Sequence, residues 1–204
     1  MSPSLVGFQE VIASRRSIRH FTPEAVDEDA LMRILAAGSR APSAHNRQPW
    51  RWVVLKPGEA RQRLAGAMEA RFREDLLADG LAADQIDAIV DRGRERLLGS
   101  PLSIILCMTL EDMDSYPDDR RQSAERTMAI QSVALAGGHM LLAAHAEGLG
   151  ACWICSPLFV PDIVRNVLDL PASWEAQGMI ILGHPAESGR QRSSRPLEEI
   201  VRWR

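Results

Sequence analysis

Lysine is almost absent from this 204-residue chain: 23 of its 24 basic residues are arginine and the other is Lys56. Genomic base composition is the simplest source of that skew. Neither sign of charge dominates, since the formal net charge is -3. A basic field of the kind that draws a protein to nucleic acid or to anionic membranes is therefore missing, and neither is an expected partner. A small anion site assembled from a few arginines is still open. Cysteine is scarce too. Cys107, Cys152 and Cys155 are too few for the disulfide framework of a secreted domain. Residues 1–15 hold no basic region leading into an apolar run, so no signal peptide is expected and the protein reads as cytoplasmic. The most apolar long stretch, Thr127 to Ala146, is interrupted by Gln131, Ser132, His139 and His145, and reads as a buried helix rather than a membrane span.

Several chemical signatures are missing as well. The chain has no Ser-His-Asp spacing, no phosphate-binding glycine loop and no Rossmann fingerprint. Cys152-Trp153-Ile154-Cys155 has the spacing of a thiol oxidoreductase or of half a zinc site, but no second ligand pair accompanies it, so no metal is expected. The residues between the two sulfurs are strand-like, which points the thiols in different directions. His139 and His145, on the buried helix, read as satisfied core residues rather than ligands.

What remains is ordinary globular composition, 46% hydrophobic and 25% charged, without repeats or low-complexity linkers. Residues 1–204 are read as one domain. Leu5, Phe8 and Ile12 recur at helical spacing in a first helix running into Arg15-Arg16. A second helix is expected from Asp27, a good N-cap, to Gly38. Trp50 to Leu55 is a strand ended by Pro57-Gly58. Glu59 to Leu98 is helical with a break near Asp79-Gly80, and Leu64, Met68, Phe72 and Leu76 form a stripe on its first half. Leu102 to Met108 is a buried strand, and the polar stretch Glu111 to Ser123 a loop.

Ala124 to Ala146 is a helix apolar on all sides, which requires burial on all sides, at the domain centre or in a subunit interface. Ala151 to Ile154 and Gly178 to Leu182 are strands, Pro161 to Leu168 is a short helix, and Arg190 to Arg204 is a basic extended tail. The sum is an α+β fold of three α/β/α layers, with a small mixed sheet among helices.

Two segments could carry chemistry. Arg15-Arg16-Ser17-Ile18-Arg19 offers three guanidinium groups and a hydroxyl, a set that can grip a phosphate monoester; a basic helix end complementing the macrodipole is the plainer reading. Ala41-Pro42-Ser43-Ala44-His45-Asn46-Arg47-Gln48-Pro49-Trp50 places amide groups between prolines, suited to the polar edge of a flat heterocycle or to nothing more than a connection.

Together these two segments resemble the N-terminal motif pair of the FMN-dependent nitroreductase family. Glu147 to Ile154 is similar to that family's strand beside the flavin, and Gly183 with the tail Arg190 to Val201 to its closing segment. Within the family, Tyr116-Pro117-Asp118-Asp119-Arg120-Arg121, Ala124 to Met128, Gly148 to Ile154, Leu168 to Pro171 and Trp174-Glu175 resemble the C-terminal reductase domain of the bifunctional proteins that build the deazaflavin coenzyme F-420. In those proteins reduced FMN saturates a dehydro precursor of the coenzyme. The 43–50 loop is nearer to that of general nitroreductases.

The resemblance implies FMN as cofactor and a homodimer. It implies NAD(P)H or a reduced deazaflavin as electron donor, and a small nitro, quinone or conjugated C=C compound as acceptor. It assigns the FMN phosphate and ribityl chain to Arg15, Arg16, Ser17 and Arg19. Pro42, Ser43, Asn46 and Gln48 would meet the flavin from the partner subunit or across the ring. Ile154, Cys155 and Ser156 would lie against the isoalloxazine, and Arg195 or Arg192 would close on the phosphate. No residue is implied as a catalytic acid or base, because the flavin carries the chemistry. The alternatives are a flavin- or deazaflavin-binding protein without turnover, in which Glu59 to Leu98 would cover the face where donors dock, and a thiol oxidoreductase using Cys152 and Cys155.

Overall fold

The computed structural model describes residues 5–191 and 193–204. The chain runs α1 (Leu5–Ser14), α2 (Glu28–Ser39), β1 (Trp50–Leu55), α3 (Glu59–Ala78), α4 (Ala83–Leu98), β2 (Leu102–Met108), α5 (Asp119–Ala146), β3 (Gly150–Ile154), α6 (Ser156–Phe159), α7 (Pro161–Val167), β4 (Glu175–Gly183) and α8 (Leu197–Ile200). Local chemistry sets most of these boundaries. The Asp27 carboxylate accepts from the Ala30 N–H at 2.9 Å and starts α2. Gly80, at φ 80°, ends the first half of the long helical region where a break was expected.

Two expectations are corrected at element ends, and one short element was not expected. The polar stretch 111–123 is not wholly loop, because Asp118 accepts from the Arg121 N–H at 3.0 Å and starts α5 five residues early. The tail is not wholly extended, since it contains the single turn α8. The turn α6, directly after β3, had no sequence signal beyond Pro157.

The four strands form one sheet in the order β1-β2-β4-β3, every neighbouring pair antiparallel. The expected mixed sheet survives only as one parallel bridge, Ser17 to Ala151, outside the named strands. Both faces of the sheet are covered, so β2 is buried throughout and apolar at every position but Ser103, whose hydroxyl pairs with that of Ser100 at 3.1 Å. Leu102, Ile104, Leu106 and Met108 join one core with Leu31 and Ile34 of α2 and with Val133 and Met140 of α5. Ile105 and Cys107 join the other core with Leu64 and Met68 of α3, Leu97 of α4 and Val164 of α7. The result is the expected three-layer α/β/α arrangement.

Within one chain α5 is buried on one side only, so of the two expected sources of burial the domain core covers one face and leaves the other exposed. Ala129, Val133, Ala136, Met140 and Ala144 have no exposed surface, while Gln131, Ala134 and Leu135 face outward, Leu135 being 48% exposed. By length and composition α5 could cross a membrane, with a window hydropathy of 1.3, and its inner stripe is the centre of the larger core. Its small residues serve close approach. A Cβ on Gly137 would lie 2.2 Å from the Trp153 ring, so β3 can sit against α5 only because that side chain is missing.

Candidate functional site

The segment after α1 lies along the free edge of β3. Ile18 N–H donates to the Ala151 carbonyl at 3.0 Å, and Gly150 makes room for the Ile18 side chain, which stands 2.8 Å from where a Cβ would be. Farther on, the segment pairs with the chain leaving β4. Thr22 N–H donates to the His184 carbonyl at 2.9 Å, and Ala186 N–H donates to the His20 carbonyl at 3.0 Å. Gly189, at φ +74°, then folds back over Arg16 and Ile18. Residues 16–22 are thus gripped on both sides, and the arginines are presented from a fixed backbone.

Those arginines lack acidic partners. Arg16 donates to the Ala13 and Arg15 carbonyls at 2.7 and 2.9 Å, and Arg19 reaches only the Ser17 carbonyl, at 3.5 Å. Among the described residues no carboxylate forms an ion pair with Arg15, Arg16 or Arg19, whereas Arg33, Arg51 and Arg73 pair with Glu147, Asp112 and Asp87. The nearby Glu187 carboxylate accepts from the Arg19 backbone N–H at 3.0 Å. Three guanidinium groups within five residues, none of them in an ion pair among the described residues, meet the electrostatic requirement of an anion site, with Glu187 held by the backbone beside them.

Where β3 ends, Ile154, Cys155 and Ser156 turn into α6 and, with Arg19, line a cavity of about 660 Å³. Met68 and Phe72 of α3 and Val90 of α4 supply its apolar wall. Arg61, 3% exposed, holds that wall in place by donating to the Leu98 and Ser100 carbonyls at 2.8 and 2.6 Å, tying the first turn of α3 to the end of α4. Burial pulls the Arg61 pKa down from its ordinary value.

The loop carrying Pro42, Ser43, Asn46 and Gln48 is not part of this cavity. It enters β1, one edge of the sheet, while Arg15–Arg19 flank β3, the other edge. With β2 and β4 between them, the two edge strands are about 14 Å apart. The two segments also stand toward opposite ends of the sheet, since Trp50 opposes Met108 and Met108 opposes Glu175, whereas Ser17 bridges Ala151, which opposes Leu182 and through it Leu102. Within one chain the two segments therefore stand on opposite edges of the sheet.

The loop is held in an unusual shape. His45, Asn46 and Gln48 have φ of 48°, 55° and 50°, and Gln48 N–H donates to Ser43 Oγ at 3.0 Å. Three non-glycine residues in the left-handed region cost on the order of 1 kcal/mol or more each, a cost that is concentrated at binding loops. Pro42, Asn46 and Gln48 are exposed, and Ala44 N–H lies 3.4 Å from Ser132 Oγ of α5.

Comparison with known proteins gives this geometry its context. The family model described as "Nitroreductase family" matches residues 12–184. The chain belongs to the nitroreductase family. It is 30% identical to an NADH dehydrogenase of Thermus thermophilus, over 93% of this chain and 92% of the relative. It is 31% identical to a 5,6-dimethylbenzimidazole synthase of Rhodospirillum rubrum, over 96% and 87%. A solved structure described as a nitroreductase from Desulfovibrio desulfuricans in complex with FMN superposes with a TM-score of 0.73 at 30% identity, covering 95% of this chain and 94% of that one.

Set against what nitroreductase likeness implied, the expected site residues divide. Arg19, Ile154, Cys155 and Ser156 meet at the cavity. Arg15, Arg16 and Ser17 adjoin it along the same clamped segment. Arg195 does not: its side chain is 80% exposed and 3.8 Å from Glu199. Arg192 lies outside the described residues.

The two cysteines of the Cys-X-X-Cys pair are separated by environment. Cys152 is buried, its thiol donating to the Trp153 carbonyl at 3.4 Å, while Cys155 is exposed, and both are free. His139 and His145 are partnered, with the Ala37 carbonyl at 3.3 Å and Ser14 Oγ at 2.8 Å.

The segment Glu59 to Leu98 forms the far wall of the cavity, and the stripe Leu64, Met68, Phe72 and Leu76 gave no sign of which of its residues do so. In the structure Leu64 and Met68 are buried, and Phe72 and Leu76 continue past the sheet and over the cavity. The signal available was Gly93, a glycine inside α4 that lines the cavity and whose added Cβ would meet nothing within 4 Å.

Proposed function

We propose that this nitroreductase-family chain is an FMN-dependent oxidoreductase, working as a homodimer, that carries two electrons from NADH or NADPH to a small nitro, quinone or conjugated C=C acceptor. The observation that carries this reading is the junction of arginines that form no ion pair among the described residues with a largely apolar cavity. A phosphate-bearing planar heterocycle needs both halves, and Arg19 belongs to both. The residues present therefore fit FMN.

When bound, FMN supplies a reversible two-electron carrier, so that donor and acceptor can use one site in turn. The chain's own residues do the rest. Arg15, Arg16, Ser17 and Arg19 hold the phosphate and ribityl chain through charge-assisted hydrogen bonds, with Arg192 or Arg195 closing from the tail. Ile154, Cys155 and Ser156 bound the ring. Met68, Phe72 and Val90 exclude water from the face where the second substrate docks. The net reaction balances without a catalytic side chain. The donor gives up a hydride, and a quinone becomes a quinol by taking its two electrons and proton together with one proton from solvent.

Pro42, Ser43, Asn46 and Gln48 then belong to a second copy of the chain. The separation of the two sheet edges supports this, as does the exposed face of α5 at Gln131, Ala134 and Leu135 beside that loop. A finer form of the reading makes a dehydro precursor of coenzyme F-420 the acceptor, or the reduced deazaflavin the donor. It rests on the similarity of residues 116–121, 148–154 and 168–175 to the reductase domains of that pathway.

The test is an anaerobic titration of the purified yellow protein with NADH, NADPH and reduced deazaflavin. The reading expects bleaching by a nicotinamide donor and recovery on addition of menadione. A protein that binds flavin but is reduced by no donor would be a binding module, and one that stays colourless with added FMN would overturn the assignment.

A further inference from the structure

We propose that Arg96 makes the cavity selective for acceptors that carry an anionic substituent, such as a carboxylate or sulfonate on a conjugated ring; the inference rests on the oxidoreductase reading above. Arg96 projects from α4 as a cavity-lining residue and is partly buried. Among the described residues nothing pairs with it by hydrogen bond or ion pair, although a guanidinium withdrawn from water ordinarily finds a partner.

The acids around it are committed elsewhere or too distant. Glu69 and Asp75 also line the cavity. Glu69 is held by Arg73 at 3.1 Å and Arg94 at 3.3 Å, and Asp75 is held by Arg71 at 3.0 Å. Asp79 is the remaining lining carboxylate. The ion pairs Arg73–Asp87 and Glu69–Arg94 fix α3 and α4 as antiparallel, which puts Arg96 level with Ala65. Asp79 is then about 20 Å away along α3, beyond a Debye length at physiological salt.

The space beside Arg96 is kept open. Gly93 is one turn earlier on α4, faces the same cavity and could carry a Cβ without meeting any atom within 4 Å. Glycine inside a helix is unfavourable, and no packing contact here requires it. An open, apolar-walled space with an unpartnered cation at one end matches a flat acceptor with a negative substituent. The fixed fork of a guanidinium suits the two oxygens of a carboxylate or sulfonate.

The experiment compares 1,4-naphthoquinone with 1,4-naphthoquinone-2-sulfonate as acceptors at saturating NADH, in the wild type and in Arg96→Gln, Arg96→Lys and Arg92→Gln. Calorimetric binding of 4-nitrobenzoate to each protein is the readout independent of turnover. The ratio of kcat/KM for the sulfonate over that for the neutral quinone is expected to fall about tenfold in Arg96→Gln. Recovery should be partial in Arg96→Lys, and the exposed Arg92→Gln should leave the ratio unchanged. 4-Nitrobenzoate binding should weaken in parallel.

If the ratio and the binding are the same in Arg96→Gln as in the wild type, the proposal is wrong while the oxidoreductase reading stands. An effect of Arg96→Gln confined to reduction by NADH would also overturn it, by moving Arg96 to the donor. If neither quinone is turned over but 4-nitrobenzoate binding still depends on Arg96, the anion site holds and the oxidoreductase reading fails.

Discussion

Gly189 packs on Arg16 so closely that a Cβ on the glycine would stand 2.6 Å from the arginine Cβ, at a φ of +74° that side chains resist. The chain leaving β4 is thereby locked over the arginine segment at the other end of the sequence. Gly189→Ala should cost on the order of 1–3 kcal/mol, from backbone strain and displacement of Arg16 together. Urea denaturation reads the stability, and FMN retention on a desalting column reads the site. Loss of both is expected, and an alanine variant as stable as the wild type would show that the clamp is not tight.

Gly93→Ala should act in the opposite direction. The added methyl group meets no atom, so the helix gains about 0.5–1 kcal/mol from the residue's better propensity. Thermal denaturation should show a higher midpoint. A bulkier Gly93→Leu should keep the fold and obstruct the cavity, read as a raised KM for the acceptor.

Gly137 has no such freedom. Its missing side chain leaves the space filled by Trp153, and Gly137→Ala would bring a carbon to 2.2 Å from that ring. Overpacking of this kind costs roughly 1–3 kcal/mol, and Trp153 fluorescence should shift as the ring moves.

The thiols should separate by reactivity. Burial, with the nearby Glu175 charge, pushes the Cys107 thiol from 9.0 up to about 12, so at pH 8 it stays protonated and inert. Cys155 is exposed and Cys152 is buried. The native protein should take up one equivalent of a thiol reagent quickly and three only in denaturant. Because the folded value of Cys107 lies above the unfolded one, its contribution favours the native state below about pH 9. That contribution should be lost as pH rises from about 9 to 12, which denaturation at a series of alkaline pH values would follow.

The sequence carried the fold where periodicity and punctuation agree. The run 102–108 is apolar at every position but Ser103 because both sheet faces are covered, and Asp27 stands where a helix begins. It also carried both arginine and amide segments as candidates. It did not carry their separation, because strand order depends on pairings between residues far apart in the chain: β3 is an edge through β4, and β1 through β2. Nor could it divide α5 into a buried and an exposed face, since Ala129 and Ala134 are the same residue type in opposite environments. The division of the α3 stripe between core and cavity was hidden for a related reason. Leu64 and Phe72 share a stripe, and only tertiary structure shows that the sheet ends between them.

On the reading proposed above, Arg15, Arg16 and Arg19, which form no ion pair among the described residues, hold the FMN phosphate. Equilibrium FMN binding to the apoprotein of the wild type and of Arg16→Ala, followed by flavin fluorescence quenching, tests it most directly. Loss of a charge-assisted phosphate contact should raise Kd by roughly 10- to 100-fold, with riboflavin, which lacks the phosphate, affected little. Equal FMN affinity in the two proteins would contradict the claim.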